Sequence, residues 1–149
     1  MSKNISENII HYKIPLRGLK FSTNKIYAGI HWTKRKEIKD GIASVARGFC
    51  RPILKVESYP VCIVYRFFFR SRSLDTLNTA AMAKMFEDAF RAFGILQDDS
   101  PKFVNKSILE VIEIRGKKGE KSMDEKRSRI SKEDEDYVEI DIIQSIIKN

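Results

Sequence analysis

Apolar and polar positions alternate in two segments, which is the pattern of β-strands buried on one face. In residues 61–70 (VCIVYRFFFR) every second side chain is apolar or aromatic, so we expect one face to be fully buried. The other face mixes apolar residues with Arg66 and Arg70, and we expect it to be partly wet or to face a site. Residues 137–143 alternate in the same way and predict a second strand.

Helical spacing of apolar residues occurs in two other segments. The first begins at Thr33 as N-cap, keeps its apolar residues on one face, and ends near Gly48 and Pro52. The second covers residues 76–93, with Gly94 placed to be the C′ residue. The two patterns predict two amphipathic helices.

The remaining segments complete the predicted order of elements. Residues 11–19 and 102–114 are expected to be strands, and residues 22–30 a loop. The order β, α, β, α, β, loop, β indicates an α+β fold, with one mixed sheet of about four strands and two main helices packed on it. A length of 149 residues suits a single domain over residues 1–149.

Residues 115–136 differ in composition from the rest of the chain. They hold eight basic and seven acidic residues among 22, with almost nothing apolar. We interpret them as a long mobile loop before the last strand.

Composition narrows the classes of protein. Two cysteines, Cys50 and Cys62, are too few for a disulfide scaffold, so we expect reduced thiols. The chain has no apolar run of 18 residues, and its polar N-terminus lacks the apolar segment of a signal peptide, so we expect a soluble cytoplasmic protein.

The net charge is +8, and the first 114 residues hold 19 basic against 11 acidic residues. This excess favours a polyanionic partner, nucleic acid before membrane.

Acidic residues stand beside the ends of two predicted strands. Asp75 follows the strand over residues 61–70, and Asp98 and Asp99 precede the strand over residues 102–114. If the strands are neighbours, the three carboxylates can converge and hold Mg²⁺, which prefers oxygen ligands and activates water for phosphate cleavage.

Structural explanations remain open for the same residues. Asp75 also suits a helix N-cap, and the sequence Asp98 to Pro101 suits a solvated turn. Lys84 and Asp88, four residues apart, also suit a surface ion pair.

Residues 74–104 (LDTLNTAAMAKMFEDAFRAFGILQDDSPKFV) resemble the RusA family of Holliday junction resolvases. The family pattern has an Asp-rich strand end with an Asn, a helix with Lys-x-x-x-Asp, and a loop with two adjacent Asp residues. Residues 24–40 (NKIYAGIHWTKRKEIKD) are also similar to the N-terminal part of RusA-like sequences. The matching positions are Asp75, Asn78, Lys84, Asp88, Asp98, Asp99 and Ser100.

The resemblance implies a Mg²⁺-dependent endodeoxyribonuclease, with Mn²⁺ as a possible substitute, that resolves four-way DNA junctions in recombination and repair. RusA-like proteins are homodimers with one active site per subunit, and many are encoded by phages. The implied location is the cytoplasm of a bacterium or of a phage-infected cell.

The resemblance also implies a role for each matching residue. Asp75 and Asp99 would be metal ligands, Asp98 a ligand or its immediate neighbour, and Asn78 a neutral oxygen ligand. Lys84 would neutralise the scissile phosphate or position the attacking water, and Asp88 would orient Lys84.

The chain departs from the family pattern in one segment. Better-known members carry Asp-x-Asp-Asn with the Lys three residues later, whereas here Ser73 takes the place of the first Asp and Lys84 follows Asn78 by six residues. Either Asn78 supplies a neutral ligand, or the metal site is weaker, or activity has been lost. A binding protein for branched DNA without catalysis is therefore the alternative function, and a nuclease for flaps or forks is a third.

Basic and aromatic residues supply candidate DNA contacts. Tyr27 and Trp32 can stack on an opened base, and basic side chains can neutralise phosphates. The alternatives are that Trp32 packs in the core and that the basic run is a solvated helix face. The basic candidates are Lys34, Arg35, Lys36, Arg66, Arg70 and Arg72.

Overall fold

The computed structural model describes residues 9–114 and 135–145 of the chain. Within them lie four strands, three α-helices and a single-turn 3-10 helix. The elements in chain order are β1 (Ile9–Pro15), α1 (Thr23–Tyr27), α2 (Trp32–Phe49), β2 (Val61–Phe69), the 3-10 helix (Thr76–Thr79), α3 (Ala80–Phe93), β3 (Val104–Glu113) and β4 (Tyr137–Ile143).

The four strands form one mixed sheet in the order β1-β4-β2-β3. Strand β2 runs parallel to β3, whereas β4 runs antiparallel to both β1 and β2. The predicted α+β class, with a mixed four-stranded sheet and two main helices, is confirmed.

Only one face of the sheet is covered by helices. The alternation in β2 places Tyr65, Phe67 and Phe69 on the covered face, where each is at most 1% exposed. Helix α3 packs Phe86 and Phe90 into the same core. The opposite face, which we call the open face, carries Arg66 of β2 together with the half-buried Cys62 and Phe68 and the buried Val64, as predicted for a partly wet face.

The helix boundaries differ from prediction at three places. Helix α2 begins at Trp32, and its N-cap is His31, whose Nδ1 accepts from the backbone N–H of Thr33, so Thr33 is not the N-cap. The predicted loop over residues 22–30 contains α1, because the Ser22 hydroxyl accepts from the backbone N–H of Lys25 and caps a short turn. The predicted helix over residues 76–93 starts with the 3-10 helix, and Gly94 ends it with a φ of 81°.

Asp136 fixes the start of β4. Its carboxylate accepts from the backbone N–H of Arg70 at 2.7 Å and of Ser71 at 3.0 Å, just beyond β2. Its carbonyl accepts from the backbone N–H of Leu16, just beyond β1, at 2.8 Å. The predicted mobile loop over residues 115–136 lies outside the described residues, except for its last two.

Two composition-based expectations can be compared with the structure. Cys50 is buried and Cys62 half-buried, and both thiols are free. Burial raises the pKa of the Cys50 thiol to about 12, which makes it a poor nucleophile. Within the described part of the chain, no helix has the length and apolar character needed to cross a membrane.

Candidate active site

Lys84 lies at the centre of a group of charged residues on α3. Its Nζ donates to the carboxylate of Asp99, which comes from the loop after the helix. The same nitrogen lies 3.2 Å from Asp88 Oδ1 and 3.3 Å from Glu87 Oε1. Three of the sequence candidates, Lys84, Asp88 and Asp99, are therefore brought together.

Arg91 brings in the fourth candidate, Asp98. Its guanidinium lies 3.5 Å from Asp98 Oδ1, 3.3 Å from Asp99 Oδ2 and 3.9 Å from Asp88 Oδ1. From α2, the Lys39 ammonium lies 3.3 Å from Asp88 Oδ2. We call these residues the α3 cluster. Its members are Lys39, Lys84, Glu87, Asp88, Arg91, Asp98 and Asp99.

Helical spacing and one returning loop assemble the α3 cluster. Lys84, Asp88 and Arg91 are separated by four and three residues, so they share one face of α3. After Gly94 turns the chain, the buried residues Ile95 and Leu96 hold the loop against the core. The loop therefore turns back along the helix and delivers Asp99 to Lys84.

The start of α3 is capped from another element. Its own N-cap, Thr79, makes no side-chain capping bond, and the Thr23 hydroxyl of α1 accepts from the backbone N–H of Ala81 at 3.0 Å. The same hydroxyl lies 3.1 Å from the carbonyl oxygen of Asn78, to which it donates. Helix α1 is thereby fixed against the helix that carries the cluster.

The contacts within the α3 cluster keep Lys84 charged. Partial burial lowers the pKa of Lys84, but its hydrogen bonds to Asp99 and Asp88 outweigh this and raise the pKa above the ordinary value. The hydrogen bond from Lys84 lowers the pKa of Asp99. At neutral pH the centre of the cluster is an ammonium held by carboxylates.

Two residues that sequence reasoning missed lie beside this centre. Burial raises the pKa of Glu87, whose side chain is only 12% exposed. The Tyr65 hydroxyl lies beneath the cluster and, among the described residues, is the one buried side-chain polar atom without a hydrogen-bond partner. Burial, with Glu87 and Asp88 nearby, raises the pKa of Tyr65 well above its ordinary value. The signal for Glu87 was its place three residues after Lys84, whereas Tyr65 looked like an ordinary core residue.

Asp75 does not join the α3 cluster. Its carboxylate is exposed and has no hydrogen bond or ion pair among the described residues. Strands β2 and β3 are neighbours, but they are parallel, with Val61 opposite Val104 and Phe69 opposite Glu113. The end of β2 and the start of β3 therefore lie about 26 Å apart along the sheet, so the neighbouring strand ends do not by themselves bring Asp75 to Asp98 and Asp99.

Asn78 and Ser73 stay on the same side as Asp75. The backbone N–H of Asn78 donates to the Asp75 carbonyl at 2.9 Å, which forms the turn of the 3-10 helix. The Ser73 hydroxyl donates to the carbonyl of Leu74 at 3.2 Å. Neither residue contacts the α3 cluster in the part of the chain that the structure describes.

Oxygen donors of the kind that Mg²⁺ prefers are present in the α3 cluster, in Asp88, Asp98 and Asp99. In the described residues, however, no three His, Cys, Asp or Glu side chains are arranged as a group that could hold a metal ion. Lys84 and Arg91 lie against the Asp99 carboxylate. The donors fit the metal in type, and the two cations must give way for it to bind.

The basic and aromatic residues at the start of α2 are on the surface. Trp32 is 67% exposed and its ring centroid lies 5.7 Å from that of His31, so it does not pack in the core. Tyr27 is 75% exposed. Trp32, Lys36 and Lys39 follow one another at helical spacing on one stripe, and Lys39 pairs with Asp88. The stripe therefore leads from the α3 cluster to Trp32 over about 10 Å of helix axis.

Lys34 and Arg35 are also exposed at the start of α2. The Arg35 guanidinium donates to the Ile30 carbonyl at 3.5 Å. They add positive charge around the stripe without closing it off from solvent.

The three arginines near β2 are not part of that surface. Arg66 lies on the open face, 3.0 Å from Glu110 Oε2 and 2.6 Å from Asp141 Oδ2. Arg70 and Arg72 are exposed beyond the end of β2. The sheet separates Arg66 from α3, so it does not line a path to the α3 cluster.

A scan of protein-family models finds no match to this chain, and a search of curated proteins finds none.

Proposed function

We propose that the protein is a Mg²⁺-dependent endodeoxyribonuclease that cuts branched DNA, with the four-way junction as its substrate. The observation that carries the proposal is the contact of Lys84 with Asp88 and Asp99. Residues that the RusA-like pattern joins in one site meet here across 15 positions of sequence. The α+β fold and the net charge of +8 also suit a nuclease that binds a polyanion.

Each residue of the α3 cluster would have its own role in the cleavage reaction. Lys84 stays protonated, because its pKa is raised, and neutralises the charge of the scissile phosphate. Asp88 orients Lys84 by the contact at 3.2 Å. Asp98 and Asp99 are the oxygen ligands proposed for the metal. Asp75 and Asn78, the further donors that the resemblance implies, lie in the 3-10 turn outside the α3 cluster. When bound, Mg²⁺ supplies an activated water and stabilises the charge that develops on the phosphate.

The stripe on α2 would hold the DNA. Lys36 and Lys39 contact phosphates, and Trp32 stacks on a base that the junction leaves open. Since Lys39 already lies 3.3 Å from Asp88, DNA on this stripe reaches the α3 cluster directly. A homodimer with two such sites would make the two cuts that resolution of a junction requires.

The test is cleavage of a labelled synthetic four-way junction in Mg²⁺, in Ca²⁺ and in EDTA, with a linear duplex of the same arm sequence beside it. We expect symmetric nicked duplexes from the junction in Mg²⁺ alone. The Asp99→Asn variant should bind the junction and not cut it, and Glu57→Gln, at an exposed carboxylate elsewhere, should cut as the unaltered protein does. Equal cutting by Asp99→Asn would contradict the proposed site.

One observation favours a second candidate, a branched-DNA-binding protein without catalysis. Asp75 lies apart from the α3 cluster, and Ser73 stands where the pattern has an acid. The carboxylates of Asp88 and Asp99 are already paired with cations. This candidate predicts tight junction binding and no Mg²⁺-dependent product, whereas cleavage that disappears in Asp99→Asn would exclude it.

A further inference from the structure

A cavity of about 520 Å³ opens where β1 and β2 end and β4 begins. Three cations and one carboxylate line it, beside two aromatic rings. Strand register explains the grouping, because Pro15, Tyr137 and Phe68 are cross-strand neighbours on the open face. Lys13 lies two positions before Pro15 and Arg70 two positions after Phe68, so both share that face. We call it the basic cavity. The lining residues that matter here are Lys13, Arg17, Arg70, Glu135, Tyr137 and Phe49.

The charges of the basic cavity do not balance. Arg17 lies 3.5 Å from Glu135, which neutralises one cation. Lys13 and Arg70 have no carboxylate partner among the residues that the structure describes. Two positive charges of the lining are therefore left over.

The Lys13 ammonium is held in place without being neutralised, and the backbone that carries Arg70 is fixed. The Lys13 ammonium lies 4.3 Å from the centre of the Tyr137 ring, which stacks on Phe68 with centroids 4.6 Å apart and an angle of 9°. The backbone of Arg70 is fixed by the bond from its N–H to Asp136 at 2.7 Å. Less freedom is lost when an anion binds to positioned cations than to free ones.

We propose that the basic cavity binds a phosphate group. A phosphate monoester carries about −1.5 to −2 charges at neutral pH, which matches the two unpaired cations, and the planar guanidinium of Arg70 can contact two of its oxygens. Lys13 and Phe68 cover the two faces of Tyr137, so that ring offers no surface for a base to stack on. The unpaired cations are therefore the groups of the site that we expect to select its ligand, and they select phosphate.

This phosphate site is separate from the proposed nuclease site. Lys13, Tyr137 and Arg70 belong to the open face and its end, whereas α3 packs on the covered face. The phosphate can come from a free nucleotide or from the backbone of DNA, and the experiment distinguishes the two sources.

The experiment titrates the full-length protein with inorganic phosphate, thymidine 5′-monophosphate and four-way junction DNA, and follows the amide resonances of Lys13, Arg70 and Tyr137 by NMR. We expect Arg70→Gln and Lys13→Gln each to weaken phosphate binding about tenfold. Arg51→Gln, at an exposed arginine outside the lining, should change it by less than about twofold. Asp99→Asn should bind phosphate as the unaltered protein does, whatever its effect on cleavage.

A parallel loss of affinity for the junction in Arg70→Gln and Lys13→Gln would assign the phosphate to the DNA backbone. A loss confined to the nucleotide and inorganic phosphate would assign it to a free nucleotide. Absence of phosphate binding, or equal binding by Arg70→Gln, Lys13→Gln and Arg51→Gln, would overturn the proposal.

Discussion

Two groups of charged side chains lie on opposite sides of the sheet and are held in different ways. On the open face, Arg66 of β2 lies between Glu110, its register partner on β3, and Asp141 of β4, which is opposite Val64 and reaches Arg66 diagonally. On the helical side, Asp99 reaches Lys84 only because a loop turns back along α3. The first group is carried by three strands of the sheet, whereas the second depends on the path of the loop after α3. Substitutions can test whether the group on the open face stabilises the fold and the group on the helical side cuts DNA.

The largest difference is expected in cleavage of junction DNA. Asp99→Asn should lower the Mg²⁺-dependent rate on the order of 100-fold, because it removes a carboxylate that holds Lys84 and is a proposed metal ligand. Asp141→Asn should leave the rate within about twofold, because the sheet separates it from α3. The measurement is single-turnover cleavage with both variants at saturating protein. Equal losses of cleavage rate in the two variants would contradict the assignment of cleavage to the α3 cluster alone.

When stability is measured instead of cleavage, Asp141→Asn should have the larger effect and Asp99→Asn the smaller one. Asp141 is 18% exposed and contacts both Arg66 and His11, so Asp141→Asn should lower the free energy of unfolding by about 1–2 kcal/mol. For Asp99→Asn we expect a change too small to resolve, since surface ion pairs contribute little. Urea unfolding followed by circular dichroism measures both. A stable Asp141→Asn would show that the open-face group is not structural.

The contacts of Asp141 should also make stability depend on pH in the acid range, and this effect is expected to be smaller. Burial raises the pKa of Asp141, but hydrogen bonds with His11 and Arg66 outweigh it, so the pKa in the folded state is lowered. A lowered carboxyl pKa contributes stability that is present above the unfolded value of about 3.9 and is lost as the pH falls through the folded value. Between pH 6 and pH 3 the unaltered protein should therefore lose more stability than Asp141→Asn. Parallel curves from thermal unfolding over this range would contradict the assignment.

The smallest effect concerns the salt dependence of DNA binding. Lys36→Gln on α2 should reduce the log–log slope of affinity against salt by about 0.9, the value for one phosphate contact. Lys106→Gln is the matched control, because Lys106 is an exposed lysine on β3, opposite Cys62 of the open face. Fluorescence anisotropy at several salt concentrations gives both slopes. A larger change of the slope in Lys106→Gln than in Lys36→Gln would indicate that DNA binds to the open face and not to the helical side.

Sequence periodicity was sufficient for β2, β4 and the long helices, whereas the first strand, predicted over residues 11–19, lies at Ile9–Pro15. The alternation in β2 and β4 and the apolar spacing in α3 are local patterns, and the structure has them within two residues of prediction at most boundaries except the start of α3. The start of α2 was misplaced because the His31 ring takes the capping role that Thr33 seemed to fill. Helix α1 was missed because a five-residue helix has too few positions to show a period.

The candidate site was only partly predictable, for a physical reason. Lys84 and Asp88 share a helix face, so their contact follows from spacing alone. The contact of Asp99 depends on the path of the loop after Gly94, and the separation of Asp75 depends on whether two neighbouring strands are parallel. Neither the path of the loop nor the direction of the strands can be predicted from a local pattern.

Asp136 makes the sheet tolerant of changes in the length of the chain between β3 and β4. Its bonds to Arg70, Ser71 and Leu16 tie the beginning of β4 to the ends of β2 and β1. The register of β4 is thus set on the strand side of the connection, and loop closure becomes only slowly less favourable as a connection grows. We therefore expect the alignment of β4 with β1 and β2 to depend on Asp136 itself more than on the length of the connection that precedes it.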